Sequence, residues 1–342
     1  MHGQMCTGAT STRRRYDLPD YTVAWRPTML PTLIIPGAQK SATTSLASIL
    51  SSHPDVYMGE AKEPHFFSRD SRYLAGQEEY RSVYAGYNGE RVVFDASTSY
   101  LPLRAVPERI DAVLGRGIKF IIALRNPVDR AVSGFLQMNI NEHGDLRSSV
   151  GDLIPNSLAD MSLSELLAFE QQRTVEGIHE GVIRPKNPAW GWGIFPYDYF
   201  AIGCYSAQLE RYLDMFPREN FLFLSFEEIV GSQAATKRKI ADFLGIDPRA
   251  YSAPEGTRSN ASRVPLRSYR VAAGIYRRTL RKIVPRVVSK NARKMARRIL
   301  SRRPSAGFSP AVYDRLLDIF GAEITRTSEL TGLDLGAWRA RR

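Results

Sequence analysis

A short polar loop between an apolar run and a helical pattern holds the first residues with an evident chemical use. Leu33, Ile34 and Ile35 form the continuous apolar run typical of a buried parallel strand, and Pro36-Gly37 interrupts it. Backbone amides at the start of the following helix carry unpaired donors and partial positive charge. One cation and three hydroxyl groups stand among those amides, from Lys40, Ser41, Thr43 and Thr44. The loop is therefore predicted to bind an anion, and a phosphate group fits it best.

A second anion-binding element is predicted at residues 120–135, which read FIIALRNPVDRAVSGF. Arg125 follows a buried strand and stands where a helix begins. An arginine at such a junction can grip a phosphate with two hydrogen bonds, and Ser133 can add a hydroxyl donor. The alternative is structural: Arg125 pairs with a carboxylate such as Asp129, and Arg130 does likewise.

The nucleotide-binding motif G-x-x-x-x-G-K-[ST] is the first to compare with the lysine loop. It requires glycine directly before the lysine and again six residues before it. The chain has Gln39 and Ile34 at those positions. The missing glycines disfavour a nucleotide kinase, which is kept as the alternative enzyme.

Strand-like apolar runs alternate with helical patterns along the chain. The predicted strands are Thr32 to Pro36, Val92 to Asp95, Lys119 to Leu124 and Phe221 to Phe226. The predicted helices are Thr43 to Ser52, Val106 to Leu114, Pro127 to Asn139, Leu163 to Ile178, Tyr199 to Met215, Ala234 to Leu244 and Pro310 to Leu330. This alternation predicts a P-loop-like, three-layer α/β fold with a central, mostly parallel sheet flanked by helices. Ligands of such folds bind beyond the carboxyl ends of the strands, where both anion-binding elements lie.

Length and composition are those of an ordinary globular protein. The chain has 342 residues, 43% of them hydrophobic and 24% charged. Cys6 and Cys204 give neither a disulfide framework nor a metal-binding spacing, which indicates a reducing compartment. No stretch has the character of a secretory signal or a membrane span, so we expect a cytoplasmic protein and leave peripheral membrane contact open. Residues 1–28 are predicted to form a flexible arm, residues 29–262 the core, and residues 263–342 a basic helical segment that packs on the core.

The net charge of +12 is concentrated in one segment. Residues 263–303 contain fifteen Lys or Arg and no acidic residue, which leaves 32 basic against 35 acidic residues in the rest of the chain. Apolar residues recur there at helical spacing, which predicts two basic amphipathic helices. They form either a solvated face or a contact with an anionic acceptor, a polyanion or a lipid surface. Docking on an acidic membrane or polymer would suit a non-catalytic adaptor. Nucleic acid is disfavoured because no recognition motif accompanies the charge.

The two phosphate elements together resemble those of the sulfotransferase superfamily. The first, P-G-x-x-K-S-x-T-T-S, is similar to its 5'-phosphosulfate loop, K-[ST]-G-T-[ST], with Ala42 in place of the usual glycine. The second, R-[ND]-P-x-[DE]-R-[AV]-x-S, is similar to its 3'-phosphate element and follows at a similar interval. Residues 51–70 and 94–102 resemble segments of the carbohydrate branch, which includes the heparan sulfate N- and 3-O-sulfotransferase domains and bacterial relatives. The resemblance extends to residue 246.

This resemblance implies transfer of a sulfuryl group from 3'-phosphoadenosine 5'-phosphosulfate (PAPS), without a metal. The acceptor would be a hydroxyl or amine of a carbohydrate, a glycolipid or other lipid-linked compound, or a small molecule. Lys40 would neutralise charge on the leaving 5'-phosphate, while Arg125 and Ser133 would hold the 3'-phosphate. Further amides and hydroxyls for the 5'-phosphate would come from Gln39, Ser41, Ala42, Thr43 and Thr44.

The reaction also needs a general base to take the proton of the acceptor. In the carbohydrate branch this base is the glutamate of the E-x-x-F-F element, and the resemblance places Glu63 in that role. His65 is a second candidate because its ordinary pKa of about 6.5 suits proton transfer near neutrality. The alternative for His65 is a hydrogen-bonded place in the wall of the pocket.

Two departures from the family pattern bear on the substrates. The heparan enzymes carry a lysine where this chain has Ala96, which argues against heparan itself as the acceptor. Their late donor-binding loop is flanked by a cysteine pair that residues 256–265 lack. We expect this loop to close over the donor with Arg258, Asn260 or Arg263 near a phosphate, although its composition also suits a solvated turn.

Overall fold

The apolar runs of the sequence form one central sheet in the computed structural model, which describes residues 29–138, 153–179, 198–252, 264–265, 301–302 and 307–341. Its strands are β1 (Leu33–Ile34), β2 (Val56–Tyr57), β3 (Val92–Asp95), β4 (Lys119–Leu124) and β5 (Phe221–Ser225). All strand pairs in this sheet are parallel, and the strand order is β2-β3-β1-β4-β5. Strands covered by helices on both faces need apolar residues at nearly every position, as β4 has.

Strand β1 lies at the centre of the sheet. Leu33 is in register with Phe94 of β3 on one side and with Lys119 of β4 on the other. From β1 the chain goes to the edge strand β2, returns to β3 beside β1, and then crosses to the other side of β1 to form β4 and the second edge strand β5. A crevice forms where the connections after two adjacent strands run in opposite directions along the sheet. Ligands of open parallel sheets bind there, beyond the carboxyl ends of the strands. The loop after β1 stands at this point.

The described residues form the helices α1 (Thr43–Leu50), α2 (Asp70–Tyr73), α3 (Gln77–Ser82), α4 (Val106–Leu114), α5 (Pro127–Met138), α6 (Leu163–His179), α7 (Tyr205–Leu213), α8 (Phe226–Gly231), α9 (Gln233–Leu244), α10 (Pro310–Ile319) and α11 (Gly321–Thr331). Each predicted helical segment contains helix, and three helices that were not predicted, α2, α3 and α8, are also present in the described ranges. Short 3-10 turns occur at Leu158–Asp160, Ala201–Gly203, Arg218–Asn220 and Gly336–Arg339.

Two hydrophobic clusters divide between the faces of the sheet, because successive strand side chains point to opposite faces. Leu33 and Ile121 pack in the cluster that α1, α8 and α9 cover. Ile34 and Phe120 pack in the larger cluster, with residues of α4, α5, α7, α10 and α11. The prediction of a three-layer α/β fold with a parallel central sheet is thus confirmed.

Several predicted boundaries need correction. The helix predicted from Tyr199 to Met215 begins only at Tyr205, after the 3-10 turn Ala201–Gly203. The helix predicted over Pro310 to Leu330 is two helices, because the backbone leaves the helical region at Phe320 (φ −83°, ψ 1°) and directs a fully buried ring into the core. Strand β2 was not predicted, since two residues are too short for a recognisable periodicity.

Most of the basic segment and the predicted N-terminal arm lie outside the described residues. Of residues 263–303 the structure describes only β6 (Val264–Pro265) and β7 (Ser301–Arg302), which pair antiparallel. The two predicted amphipathic helices therefore stay predictions. In the part of the chain that the structure describes, no helix is both long and apolar enough to cross a membrane.

Candidate active site

The loop that joins β1 to α1 stays in contact with the sheet after β1 has ended. The amide of Ala38 donates to the carbonyl of Ala123 at 2.6 Å, and the amide of Ala123 donates to the carbonyl of Gly37 at 3.0 Å. A Cβ at Gly37 would lie 2.8 Å from Leu101 Cβ, so this close approach requires glycine. The loop is therefore held against β4, the strand that leads to Arg125.

Three non-glycine residues in the described ranges have a left-handed backbone, and all three are candidate site residues. Lys40, Ala42 and His65 have φ angles of 71°, 64° and 55°. The left-handed region costs an L-residue roughly 1–2 kcal/mol. Strain of this kind clusters at functional sites, where the surrounding structure enforces it. Both the backbone strain and the residue types therefore indicate that these positions belong to a functional site.

The loop and the first turn of α1 hold amide donors without acceptors. The amides of Gln39, Lys40 and Ala42 donate to no acceptor among the described residues. Residues 43–45 form the first turn of α1, where amides have no partner within the helix. A cluster of unpaired amides at a helix N-terminus is a binding site for an anion.

The hydroxyl of Ser41 is a further unpaired donor. Its side chain is 0% exposed, and Oγ has no hydrogen-bond partner in the described part of the molecule. Ser41 lies beside the hydroxyl of Tyr205, which donates to the carbonyl of Arg125 at 2.9 Å instead. Leaving a buried hydroxyl unpaired costs about 1–3 kcal/mol, so a ligand oxygen next to Ser41 would be stabilised.

Lys40 stands in a strongly positive environment. Its Nζ donates to Oε1 of Gln137 at 3.1 Å, and no carboxylate in the described chain pairs with it. Burial, together with the charges of Arg125 and Arg130, lowers the pKa of Lys40 to about 8. An anion bound here would relieve this repulsion.

Arg125 contacts the lysine loop directly. Its Nη1 donates to the carbonyl of Lys40 at 3.3 Å, and its guanidinium lies 4.3 Å from the ring centroid of Phe226. Two predicted elements 85 residues apart thus meet at the carboxyl ends of β1 and β4. Ser133 lies on α5, one turn before Gln137, so both side chains share the helix face that reaches Lys40.

The structural alternative for the two arginines is not observed in the described ranges. Neither Arg125 nor Arg130 forms an ion pair with a carboxylate there. Arg130 is fully buried, its Nη2 donates to the carbonyl of Tyr199, and its Nε and Nη1 have no partner among the described residues. Burial lowers the pKa of Arg130. Lys40, Arg125 and Arg130 therefore form a cation cluster without a carboxylate counter-ion in contact.

Glu63 lies in the segment after β2, which is tied to the residues that follow β3. One carboxylate oxygen accepts from Lys62 Nζ at 2.8 Å, and the other accepts from Thr98 Oγ1 at 3.4 Å. His65 Nε2 lies 3.6 Å from that second oxygen. The Glu63 side chain is 32% exposed, so a ligand can reach it. Because β3 is the parallel neighbour of β1, Glu63 and Lys40 lie beyond the same, carboxyl ends of the strands.

His65 is fixed by hydrogen bonds from both its backbone and its ring. Its amide donates to Ser97 Oγ at 3.0 Å, and its Nδ1 lies 3.0 Å from Ser99 Oγ. Burial lowers the pKa of His65 to about 4, with Glu63 acting in the opposite direction. His65 is thus neutral at pH 7, and its role as a base stays a prediction.

The buried carboxylate of Asp95 stabilises the segment that carries Glu63 and His65 through a hydrogen-bond network. Asp95 is fully buried and accepts from the hydroxyls of Tyr80 and Tyr100, both at 2.8 Å, and from the amide and hydroxyl of Ser97 at 2.9 and 2.7 Å. Burial raises the pKa of Asp95 to about 6, and these hydrogen bonds oppose the rise. Because Ser97 also accepts from the His65 amide, Asp95 orients the segment that carries Glu63.

Comparison with known protein families identifies the family of this chain. A family model described as a sulfotransferase domain matches residues 30–270, which is more than half of the chain. The chain belongs to the sulfotransferase family.

Relatives of this sulfotransferase include two heparan sulfate enzymes. It is 31% identical to human heparan sulfate glucosamine 3-O-sulfotransferase 6 over 216 residues, which are 63% of this chain and 52% of the relative. It is 31% identical to mouse heparan sulfate glucosamine 3-O-sulfotransferase 3B1 over 217 residues, which are 64% of this chain and 46% of the relative. The chain thus spans about half the length of the curated relatives it matches.

A solved bacterial structure supports the assignment. The sulfotransferase from Alicyclobacillus acidocaldarius is 26% identical and superposes with a TM-score of 0.55, covering 91% of this chain and 100% of that one. The resemblance drawn from the sequence is confirmed, and residues 30–270 form a sulfotransferase domain.

The sulfotransferase brings most of its predicted site residues together. Gln39 to Thr44 and Arg125 meet at the carboxyl end of β1, and Glu63 with His65 lies at the same end of the strands. Ser133 lies on α5, which contacts Lys40 through Gln137. Arg258, Asn260 and Arg263 lie outside the described residues, so their role stays a prediction. Sequence reasoning missed Gln137 and Phe226. Gln137 could have been found from its position four residues after Ser133, whereas nothing in the sequence pairs Phe226 with Arg125.

The described ranges contain no group of three or more His, Cys, Asp or Glu side chains arranged to hold a metal ion.

Proposed function

We propose that this sulfotransferase takes its sulfuryl group from PAPS and transfers it to a hydroxyl of a carbohydrate-type acceptor. The observation that carries the proposal is the cluster of Lys40, Arg125 and Arg130, which stands beside unpaired amides and forms no ion pair with a carboxylate in the described chain. Glu170 is near enough to act on the charge of Arg130, but its carboxylate accepts hydrogen bonds from the amides of Phe200 and Ala201. Such a cluster is destabilising unless an anion of high charge occupies it.

The residues of the loop fit the 5' end of the donor. The buried, unpaired hydroxyl of Ser41 and the amides of residues 43–45 offer hydrogen bonds that phosphate oxygens can accept. Arg125, with Ser133 on the next helix, offers a separate pair of donors for the 3'-phosphate. Two anion sites at neighbouring strand ends match a nucleotide with phosphates on both sides of its ribose.

The proposed reaction is an in-line displacement at sulfur. Glu63 takes the proton of the acceptor hydroxyl, whose oxygen forms the new bond to sulfur. The bond between sulfur and the 5'-phosphate oxygen breaks, and its electron pair stays on the phosphate. Lys40, charged below its pKa of about 8, stabilises that developing charge. The products are the sulfated acceptor and 3'-phosphoadenosine 5'-phosphate (PAP).

The acceptor is proposed by analogy with the relatives. Those relatives are named for glucosamine units of heparan sulfate, which supports a carbohydrate hydroxyl. The buried Ala96 stands where the heparan enzymes carry lysine, so we propose a glycoside, a lipid-linked sugar or a small hydroxylated compound rather than heparan itself. Lys62 still places an ammonium group against Glu63, which would favour an acceptor with a nearby anionic group.

Titration calorimetry with PAP tests the donor site. The wild type should bind PAP, and Lys40→Ala and Arg125→Ala should each weaken binding by tenfold or more. Lys239→Ala, which removes an exposed lysine paired with Glu228 on α8, should not. Absence of PAP binding by the wild type would overturn the proposal. A screen of hydroxylated glycosides and small molecules with sulfur-labelled PAPS then identifies the acceptor class.

The same preparation separates the two alternatives. A nucleotide kinase would bind magnesium-ATP in preference to PAP. An adaptor that works through residues 263–303 would lose its function when that segment is deleted, whereas a sulfotransferase should keep much of its PAP affinity.

A further inference from the structure

The 3-10 turn Gly336–Arg339 lies against the residues that follow β4 and β5, although its Trp338 is 212 and 111 residues away from its partners there in sequence. Trp338 in this turn is 4% exposed and makes two hydrogen bonds to residues outside the turn. Its carbonyl accepts from Nδ2 of Asn126 at 2.8 Å, and its indole Nε1 donates to Oε2 of Glu227 at 3.1 Å. Trp338 therefore joins the residue after Arg125 to the residue after Phe226.

Arg125 and Phe226 are the two partners of the cation–π contact described above. The guanidinium of Arg125 lies over the ring of Phe226, and Asn126 and Glu227 are their immediate successors in the chain. Trp338 thus fixes the spacing between the two strand ends from which this contact is built.

Both polar groups of the Asn126 side chain make hydrogen bonds in this arrangement. Its Oδ1 accepts from the amides of Val128 and Asp129 at 2.9 and 3.2 Å, which caps the start of α5. Only Nδ2 remains, and it donates to the Trp338 carbonyl in a buried setting. Any shift of Trp338 would therefore move the junction between β4 and α5, where Arg125 stands.

Arg125 depends on such support because its side chain is weakly held otherwise. Within the described residues its guanidinium makes one long hydrogen bond, at 3.3 Å, and no ion pair. We propose that Trp338 is a positioning residue that holds Arg125 and Phe226 in place for the 3'-phosphate of the donor. This inference rests on the proposed function, since it presumes a ligand with a 3'-phosphate.

The test compares PAP with adenosine 5'-phosphate, which lacks the 3'-phosphate, by titration calorimetry on the full chain. Glu227→Ala removes the acceptor of the indole N–H at an exposed position and leaves the core intact. Removing a negative charge near an anion site would, by charge alone, strengthen PAP binding. We expect a three- to tenfold loss of PAP affinity instead, with affinity for adenosine 5'-phosphate unchanged within twofold.

Two further variants sharpen the result. Glu227→Gln removes the charge but keeps an oxygen that accepts from the indole, so it should bind PAP at least as well as the wild type. Trp338→Phe keeps the carbonyl and most of the packing but loses the N–H, and should repeat the Glu227→Ala result. Arg339→Ala, in the same turn, removes contacts to Gly321 and Thr325 and should leave both affinities unchanged.

The outcomes separate this inference from the proposed function. Unchanged preference for PAP over adenosine 5'-phosphate in Glu227→Ala and Trp338→Phe would overturn the role of Trp338 alone. Equal loss of both ligands would indicate a purely structural role and would also overturn it. Failure of the wild type to bind PAP would overturn the inference together with the proposed function.

Discussion

The ammonium of Lys40 donates a hydrogen bond to the side-chain carbonyl of Gln137 at 3.1 Å. The partner is neutral, so it orients the ammonium group without cancelling its charge. Gln137 comes from α5, the helix that also carries Ser133. The contact is therefore a second link between the lysine loop and the region after β4, besides the hydrogen bond between Arg125 and the Lys40 carbonyl.

A negative charge at position 137 should compete with the donor. We predict that Gln137→Glu lowers PAP affinity by tenfold or more, because the new carboxylate pairs with Lys40 and repels the phosphates. The matched control is Gln171→Glu, which makes the same change at an exposed position on α6. Calorimetry on both variants measures the effect, and equal affinities would contradict the assignment of this face of α5 to the donor.

Lys40 should reduce the stability of the ligand-free protein. Burial and two arginines disfavour its charge, so Lys40→Met is predicted to raise the free energy of unfolding at pH 7 by about 1–3 kcal/mol while it abolishes activity. Lys239→Met, at an exposed lysine, should change stability by less than about 1 kcal/mol. Urea unfolding of the wild type, Lys40→Met and Lys239→Met measures these differences in the free energy of unfolding.

The same lysine predicts a pH dependence with a definite sign. Its folded pKa of about 8 is below the ordinary value of 10.5, so the folded state releases the proton first as pH rises. The wild type should therefore gain stability between pH 8 and 10.5 relative to Lys40→Met, and the advantage of the variant should fade over that interval. A constant difference across this range would show that the charge of Lys40 is not the cause.

Glu63 should act on the chemical step rather than on donor binding. We predict that Glu63→Gln lowers kcat by roughly 10²- to 10⁴-fold, because the amide cannot accept the proton of the acceptor. PAP affinity should stay within twofold of the wild type. Glu78→Gln, at a side chain that is 88% exposed, serves as the control for charge. A normal kcat in Glu63→Gln would require another base, and His65 would be the next residue to test.

Ala42 should tolerate glycine better than an ordinary helix position does. Its φ of 64° and ψ of 18° strain an alanine by about 1–2 kcal/mol, which exceeds the entropic cost of glycine of about 0.5–1 kcal/mol. Ala42→Gly is therefore predicted to leave stability unchanged or raise it by about 0.5 kcal/mol. Ala47→Gly, in the middle of the same helix, should lose about 1 kcal/mol or more. Thermal unfolding compares the two variants.

Local patterns were sufficient to predict four of the five described strands of the central sheet and the positions of the two loops that follow β1 and β4. The apolar runs of β3 and β4 and the helix start at Pro127 are encoded within a few residues, so their positions follow from periodicity and turn chemistry. The meeting of Lys40 with Arg125 followed from the rule that parallel strands end at a common edge.

Contacts that depend on tertiary packing could not be predicted in this way. The contact of Phe226 with Arg125 and the hydrogen bond of Asn126 to Trp338 join residues far apart in sequence. The burial of Asp95 beneath Ser97 likewise depends on Tyr80, which comes from α3. The break between α10 and α11 reflects the burial of Phe320 rather than a helix-breaking residue before it.

The hydrogen bond between Asn126 and Trp338 also shows that the stable sulfotransferase domain includes residues beyond those that the family model matches. The family match stops at residue 270, yet the acceptor for the Asn126 amide group is the carbonyl of Trp338. A fragment cut at the family boundary would keep Lys40, Glu63 and Arg125 but would leave that buried amide unpaired, at a cost of about 1–3 kcal/mol. Domain exchanges among sulfotransferases of this type should therefore carry the C-terminal turn along with the region that the family model matches.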